Sequence, residues 1–564
     1  MKKFIPVAIV IVLIFLVVAI GFGGQLLDRY TYSNERADLS EYYNISDTNN
    51  LPIVLQDTIT EDTVKLIDGA YYMEEGMADT YFSVEFYKDE ATDTLYYTTA
   101  TDIIKTVIGS TEYTEGDVAT TLDYKAAVEV DGQIYICLDY LRKYANFSYE
   151  VYSDPGRIQI YTQWEERTIA DIKKDTTVRY QGGIKSPILE DIKAGATVVV
   201  LEQMDNWTKV KTDTAIIGYV ENKMLTNIRK ETPEAVNDVN LPVFENTTKD
   251  YTICMGWHQI GGMAGNADIY NVLTNVKGLN TISPTWFSLS DNQGNFTSFA
   301  DHDYVDYAHS LGIEVWALID NFNENVDLNS LLSIQESRTA LINNLISTAL
   351  DYNLDGINID FENVPEEASD SFIQFIRELS IPCRENDIVL SVDNYVPREY
   401  TNYYNRKEQG IYADYVIIMG YDEHWSGSTE AGSVSSIDYT EEGIASTLKE
   451  VPANKVINGV PFYTRIWTTE GSNVSSEAVG MAIAESWVKD YTSGAVWDEK
   501  TCQNYAEYES GGKYYQVWLE DSQSMETKLN VMSKYKIAGV AAWKLGFETP
   551  DVWDVIDAYV TASK

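Results

Sequence analysis

Asn358, Asp360 and Glu362 are spaced two apart and alternate with Ile357, Ile359 and Phe361 in the run Leu354-Asp355-Gly356-Ile357-Asn358-Ile359-Asp360-Phe361-Glu362-Asn363. Side chains of an extended strand alternate between faces, so the three polar groups share one face and the three apolar groups the other. Burying such a polar ladder is costly unless it has a task. A solvated strand end with incidental acids would not need an apolar residue between every acid. The chemistry this arrangement suits is proton transfer, with Glu362 at the strand's end and Asp360 one step deeper.

The elements that must position these carboxylates are read from the texture of the chain after Asp250, where apolar runs alternate with helical stretches. Eight strand candidates follow: Tyr251–Met255, Thr281–Phe287, Glu314–Ile319, Gly356–Phe361, Ile388–Val392, Tyr415–Met419, Val456–Phe462 and Ile537–Trp543. Repeated βα units of this number predict an α/β fold, a (β/α)8 barrel over residues 248–564. No Gly-rich phosphate loop follows the first strand, which disfavours a dinucleotide fold. The long interval at about 468–520 predicts an inserted lobe. Barrel chemistry sits at the C-terminal strand ends, so Glu362 is expected at the mouth.

With those motifs in place, the segment resembles glycoside hydrolase family 18, whose fourth strand reads Asp-Gly-x-Asp-x-Asp-x-Glu. Met419-Gly420-Tyr421-Asp422 is similar to the family's Met-x-Tyr-Asp motif on strand six. Gly459-Val460-Pro461-Phe462-Tyr463 is similar to its strand seven, and Trp543 to its strand-eight aromatic. The resemblance implies a retaining glycosidase acting on N-acetylated amino sugars, in which the substrate's 2-acetamido oxygen replaces a carboxylate nucleophile. It implies that Glu362 is the acid and then the base, that Asp360 holds the acetamido N–H, and that Tyr421 binds the acetamido oxygen. Trp543 would floor the distorted sugar, with Asn358, Met419, Asp422 and Tyr463 lining the same site.

Asp320, Asn321 and Asn394 fall at or just past the ends of strands three and five, where sugar hydroxyls would be met. Trp257, Trp286, Trp425 and Trp497 are candidates to stack on neighbouring rings. The departure from the family pattern is Asn358, where chitinases carry Asp. On its own strand face Asp360 is thereby left without a like-charged neighbour two residues before it, so its proton affinity is expected to be lower than in Asp-containing relatives. The form with Asn, together with Tyr421-Asp422-Glu423-His424-Trp425-Ser426-Gly427-Ser428, is similar to the branch that includes bacterial spore-cortex and wall glucosaminidases. A non-catalytic, lectin-like barrel is the alternative, disfavoured because Glu362 is present.

The bulk numbers bound the rest. There are 87 acidic residues against 41 Lys plus Arg, a formal charge of −46, and such a field disfavours nucleic acid and anionic lipid as partners. The hydrophobic fraction is 45% and the aromatic fraction 12%, with 41 Tyr, which are globular values. The four cysteines and four histidines are scattered without zinc spacing, so no metal and no cofactor are expected.

Met1-Lys2-Lys3 reads as a cytoplasmic tip, 4–22 as an uncleaved transmembrane signal anchor and 23–50 as a linker. Residues 51–165 resemble the small α+β domain found at the N-terminus of copper amine oxidases. Residues 168–228 resemble bacterial SH3-like modules, serving as a wall-peptide reader or a rigid spacer, and 229–247 link to the barrel. The expected setting is single-pass in the cell membrane with an extracellular catalytic domain, secreted if the anchor is cleaved. The expected partner is an N-acetylated polysaccharide of the cell wall, peptidoglycan ahead of chitin-type oligomers.

Overall fold

The computed structural model describes residues 10–14, 16–17, 29–240 and 243–562. By contacts the chain divides into two units, one of Met1–Phe86 with Lys105–Leu241 and one of Tyr87–Ile104 with Pro242–Lys564.

In the second unit the barrel is built from β1 (Ile253–His258), β2 (Thr281–Leu289), β3 (Glu314–Asp320), β4 (Gly356–Asp360), β5 (Val389–Tyr395), β6 (Tyr415–Met419), β7 (Val456–Pro461) and β8 (Gly539–Trp543). All eight pair in parallel with their neighbours, and β1 pairs with both β2 and β8, which closes the sheet. The short strand Phe296–Ser298 adds antiparallel to β2. Each expected strand is present, with ends displaced by three residues or fewer.

Alternation along the strands separates two cores. Ile253, Met255, Trp257, Trp316, Leu318, Val389, Tyr415, Ile417, Ile457 and Ala541 fill the barrel, whereas Ile357, Ile359, Phe361, Leu390 and Val392 pack outward with the helices. Each such side chain gives about 1.5–3 kcal/mol on burial, so a one-residue slip would exchange both faces at once.

The strand that carries the acids is locally well specified. The helix Gln335–Tyr352 stops at Asn353, which takes the left-handed conformation at φ 56°, a common helix terminator. Asp355 accepts the Val315 N–H at 2.8 Å and meets His309 Nε2 at 2.7 Å, tying β4 to its neighbour. Gly356 is required by packing, because a Cβ there would lie 2.6 Å from the Trp316 ring.

After β7 the chain makes a five-stranded sheet, in the order Asn473–Gly480, Tyr463–Glu470, Lys513–Leu519, Gln503–Ser510, Val496–Asp498, with the helix Met481–Tyr491. This lobe starts at Tyr463, a few residues before the expected 468. The segment Tyr87–Ile104, which the sequence places within 51–165, belongs by contacts to the barrel unit. Its hairpin strands, Tyr87–Asp89 and Thr94–Thr98, bring Tyr96 Oη to Gln335 Oε1 (2.5 Å) and Thr98 Oγ1 to Gln374 Nε2 (3.2 Å).

The first unit is β-rich, with two seven-stranded sheets. One runs from Ser148–Ser153 through Asn50–Leu55 to Ala127–Val130; the other runs from Ile188–Ile192 through Trp207–Lys211 to Leu225–Glu231. Residues 33–43, expected as linker, pack onto the second sheet: Ala37 N donates to Ile188 O (2.9 Å) and Tyr43 Oη to Ala215 O (2.9 Å).

The membrane expectation is corrected. No helix among the described residues is long and apolar enough to cross a membrane. Residues 4–9, 15 and 18–22 of the expected anchor, and the expected tip 1–3, lie outside the described residues. The single-pass localisation is corrected by that finding, and the membrane partner is left without support.

Candidate active site

At the C-terminal mouth of the barrel lies a cleft of about 740 Å³, lined among others by Asp360, Glu362, Asp393, Tyr395, Met419, Tyr421, Asp422, Tyr463 and Trp543. Glu362 lies two residues past the end of β4, and Asn321 grips its backbone from both sides, Oδ1 accepting Glu362 N–H at 2.9 Å and Nδ2 donating to Glu362 O at 2.8 Å. Tyr395 Oη donates to Glu362 Oε2 at 2.7 Å. Burial pushes the Glu362 carboxyl above its ordinary range; the Tyr395 bond opposes this, and the charges of Asp422 and Asp320 add to it.

Asp360 is buried, and its Oδ1 has no hydrogen-bond partner among the described residues. Its proton affinity is raised far above the usual value by burial first, then by Asp393, Glu362 and Asp320. An unpaired buried carboxylate is so unfavourable that such a group holds its proton instead.

Asn358 faces inward as the alternation requires and is wholly buried. Its Oδ1 accepts from Trp257 Nε1 (3.0 Å) and Ser283 Oγ (3.1 Å), and its Nδ2 donates to Ser391 Oγ (3.1 Å) and Asp393 Oδ1 (2.8 Å). Asn358 brings no charge to Asp360, but Asp393 on β5 does, followed by Glu362 and Asp320. Asp393 is itself buried, and its carboxyl is pushed up to about 8 by burial, against the bond from Asn358.

Asn394 lies one residue out of phase. It is buried on the outer face, donating to Gln409 Oε1 at 2.6 Å, and is not among the cleft-lining residues. Asp393 and Tyr395 are the β5 residues that reach the cleft, and carrying the inward phase of Val389 forward two residues at a time selects both. Asp320 points inward opposite Asp360 in register but accepts from Ser288 Oγ (2.7 Å) and Phe322 N (3.0 Å), so it acts on the acids through charge.

Tyr421 follows β6. A Cβ at Gly459 would come within 3.1 Å of its ring, so glycine on β7 keeps the space it occupies. Asp422 takes a left-handed backbone at φ 59° and accepts from Tyr463 Oη at 2.6 Å. Trp543 and Trp257 meet edge to face at 6.1 Å beneath the cleft, and Trp425 is exposed on its rim. Trp286 is instead core, bonded to Asn266, and Trp497 is not among the cleft-lining residues. Among the described residues no group of three or more His, Cys, Asp or Glu could hold a metal ion.

A family model, "Glycosyl hydrolases family 18", matches residues 216–548, more than half of the chain. The chain belongs to glycosyl hydrolase family 18. It is a glycosidase by that membership. It is 29% identical over 315 residues to the uncharacterized glycosylase YvbX of Bacillus subtilis, covering 53% of this chain and 90% of that protein. It is 26% identical over 257 residues to the cortical fragment-lytic enzyme of Bacillus anthracis, covering 44% of this chain and 59% of that protein, little more than half its length. Among solved structures, the chitinase of Chromobacterium violaceum ATCC 12472 is similar with TM-score 0.49 and 21% identity, over 55% of this chain and 98% of its own.

Proposed function

We propose that this family 18 glycosidase cleaves β-1,4 bonds of N-acetylglucosamine-containing glycans with retention, using the substrate's acetamido group as nucleophile, and that peptidoglycan is its substrate. The observation that carries the reading is Glu362: a carboxyl at the cleft wall, gripped by Asn321 and raised in proton affinity by burial. Such a group is protonated when the leaving oxygen needs a proton and basic when water must be activated.

In this scheme Glu362 gives its proton to the glycosidic oxygen as the acetamido oxygen closes on the anomeric carbon. Asp360, one step deeper, accepts the acetamido N–H and faces the positive charge that develops on the ring formed. Tyr421 Oη donates to the acetamido oxygen, and Trp543 supplies the apolar floor. Glu362 then takes a proton from the water that opens the intermediate.

Two features favour peptidoglycan over chitin-type oligomers. The relatives include proteins named for lysing cortical fragments. In addition, the cleft wall holds a cation, Arg398, in a chain of charge −46. A neutral polymer of N-acetylglucosamine offers that guanidinium no opposite charge, whereas a glycan carrying carboxylate substituents does. Arg398 also bonds Glu442 Oε1 at 2.5 Å, which fixes its orientation.

The test is product release from purified peptidoglycan and from chitin oligomers by the parent and by Glu362→Gln. The variant should lose about 10²–10⁴-fold in kcat or more while still binding oligosaccharide. Near-parental turnover would remove Glu362 from the chemistry, and no release from either glycan by the parent would remove the substrate class.

A further inference from the structure

The fourth strand carries Asn358 at a position where a second carboxylate would have stood beside Asp360, yet the interior of the barrel contains that second carboxylate all the same. β4 and β5 run in parallel with Asn358 opposite Ser391, so the next inward residues along the two strands are Asp360 and Asp393. Both are buried, at 7% and 3% exposure, and both line the cleft. Asn358 donates to Asp393 Oδ1, a hydrogen-bond donor where a carboxylate at position 358 would have presented another charge. Asp360 Oδ1 has no partner at all among the described residues.

The groups that face this pair are Asp320 from β3, Glu362 from β4, Tyr395 from β5, Tyr421 and Asp422 from β6 and Tyr463 from β7. β1 and β8 contribute Trp257 and Trp543. No cation is among these groups, so two carboxylates side by side cannot both be ionised there without severe cost.

We propose that Asp393 is a positioning carboxylate that shares one proton with Asp360, performing from strand five the function that a carboxylate at position 358 would perform from strand four. The inference rests on the glycosidase reading above. No covalent bond forms or breaks in the exchange: a protonated Asp360 beside an ionised Asp393 becomes an ionised Asp360 beside a protonated Asp393. The pair keeps one proton and one negative charge throughout. Asp360 can therefore present an ionised oxygen to a substrate amide N–H without importing a net charge into the barrel. Asp393 acts through Asp360 and touches no substrate in this scheme.

The experiment relocates the charge. Asp393→Asn should lower kcat by ~10²-fold and move the limb of the pH–rate profile governed by Asp360 to lower pH, since Asp360 loses its like-charged neighbour. Asn358→Asp, adding a third carboxylate, should move that limb to higher pH. Asn358→Asp combined with Asp393→Asn should recover activity to within ~10-fold of the parent, a coupling between contacting residues that independent structural damage would not give. An infrared titration of the parent and of each folded variant gives a readout free of turnover. The carbonyl stretch of a buried protonated carboxylic acid should persist in the parent at neutral pH, weaken in Asp393→Asn, and return in the double variant.

Unchanged pH profile and carbonyl band in Asp393→Asn would overturn the proposal, as would a double variant no better than Asp393→Asn. Should Asp393→Asn fail to fold, the parent's band decides alone, and its absence at neutral pH overturns the proposal. Failure of the parent to cleave any glycan would sink the glycosidase scheme while leaving the shared proton to be judged by the infrared data.

Discussion

Buried carboxylates occupy two kinds of place in the C-terminal unit. On the helical side of the barrel, Glu378 takes two bonds from Arg338, at 3.0 and 2.9 Å, and a third from Gln374 Nε2 at 2.9 Å. Arg338 in turn lies over the rings of Tyr87 and Tyr96. Near the inserted lobe, Glu520 takes two bonds from Lys528, at 2.5 and 2.7 Å, with Ser524 and Gln503 completing its shell. At the barrel mouth, Asp360, Asp393 and Glu362 are buried or nearly so, and they have tyrosine, asparagine and each other for company. Where a cation is supplied, the carboxylate is bonded to it and joins elements together. Where none is supplied, burial and the neighbouring acids strengthen the carboxyls' hold on protons, which is the property an acid–base site requires.

That contrast predicts opposite consequences for removing one group from each place. Arg338→Met strands Glu378 in a dry environment, and breaking such a pair costs about 3–5 kcal/mol. Denaturant unfolding should show that loss, with kcat of the folded protein little changed. Asp360→Asn removes a carboxyl that had no cation, so stability should hold or rise while turnover falls to near background. If Asp360→Asn were as destabilising as Arg338→Met, the distinction between the two places would be broken.

The dependence of stability on pH sharpens the same comparison. Asp393 moves from an ordinary value of 3.8 to about 8 on folding, so between those values the folded protein binds more protons than the unfolded chain. Its contribution is present in full below about pH 4 and is lost as pH rises through about 8. Urea unfolding of the parent should therefore lose stability across that window, and Asp393→Asn should flatten the slope. A parent whose stability from this group rose with pH would require a paired, ionised Asp393.

The sequence made one half of this contrast readable and concealed the other. The inward phase of Asn358, Asp360 and Glu362 was legible because strand side chains alternate and β4 is short, apolar and bounded by Gly356. The same rule applied to β5 leads from Val389 to Asp393 and Tyr395, but a reading based on position at the strand end selects Asn394, which faces Gln409. The charge around Asp360 was only partly legible for a related reason: a single strand shows neighbours two apart, whereas the strongest like charge comes across the parallel register from β5. The docking of Tyr87–Ile104 with the barrel unit was not legible at all. It depends on contacts between residues such as Thr98 and Gln374, far apart in sequence and individually ordinary.

The smallest predicted effect concerns Tyr395, which sits where the two forces on Glu362 are in balance. Burial raises the proton affinity of Glu362, and the Tyr395 hydroxyl, donating at 2.7 Å, is the group that opposes it by stabilising the ionised form. Tyr395→Phe removes that bond while keeping the ring that packs near Tyr404. A hydrogen bond to a charged group is worth about 1.5–3 kcal/mol, and one pKa unit corresponds to about 1.4 kcal/mol, so the proton affinity of Glu362 should rise by about one to two units. The alkaline limb of kcat/KM, which falls as the acid loses its proton, should move to higher pH by that amount. The second half of the reaction needs the ionised form, so kcat near neutral pH should drop several-fold if opening of the intermediate limits turnover. Partial saturation with a non-reacting oligosaccharide would show whether binding is kept. A limb that moved to lower pH would mean that Tyr395 stabilises the protonated form, and the poise of Glu362 would then have to come from burial and the neighbouring acids alone.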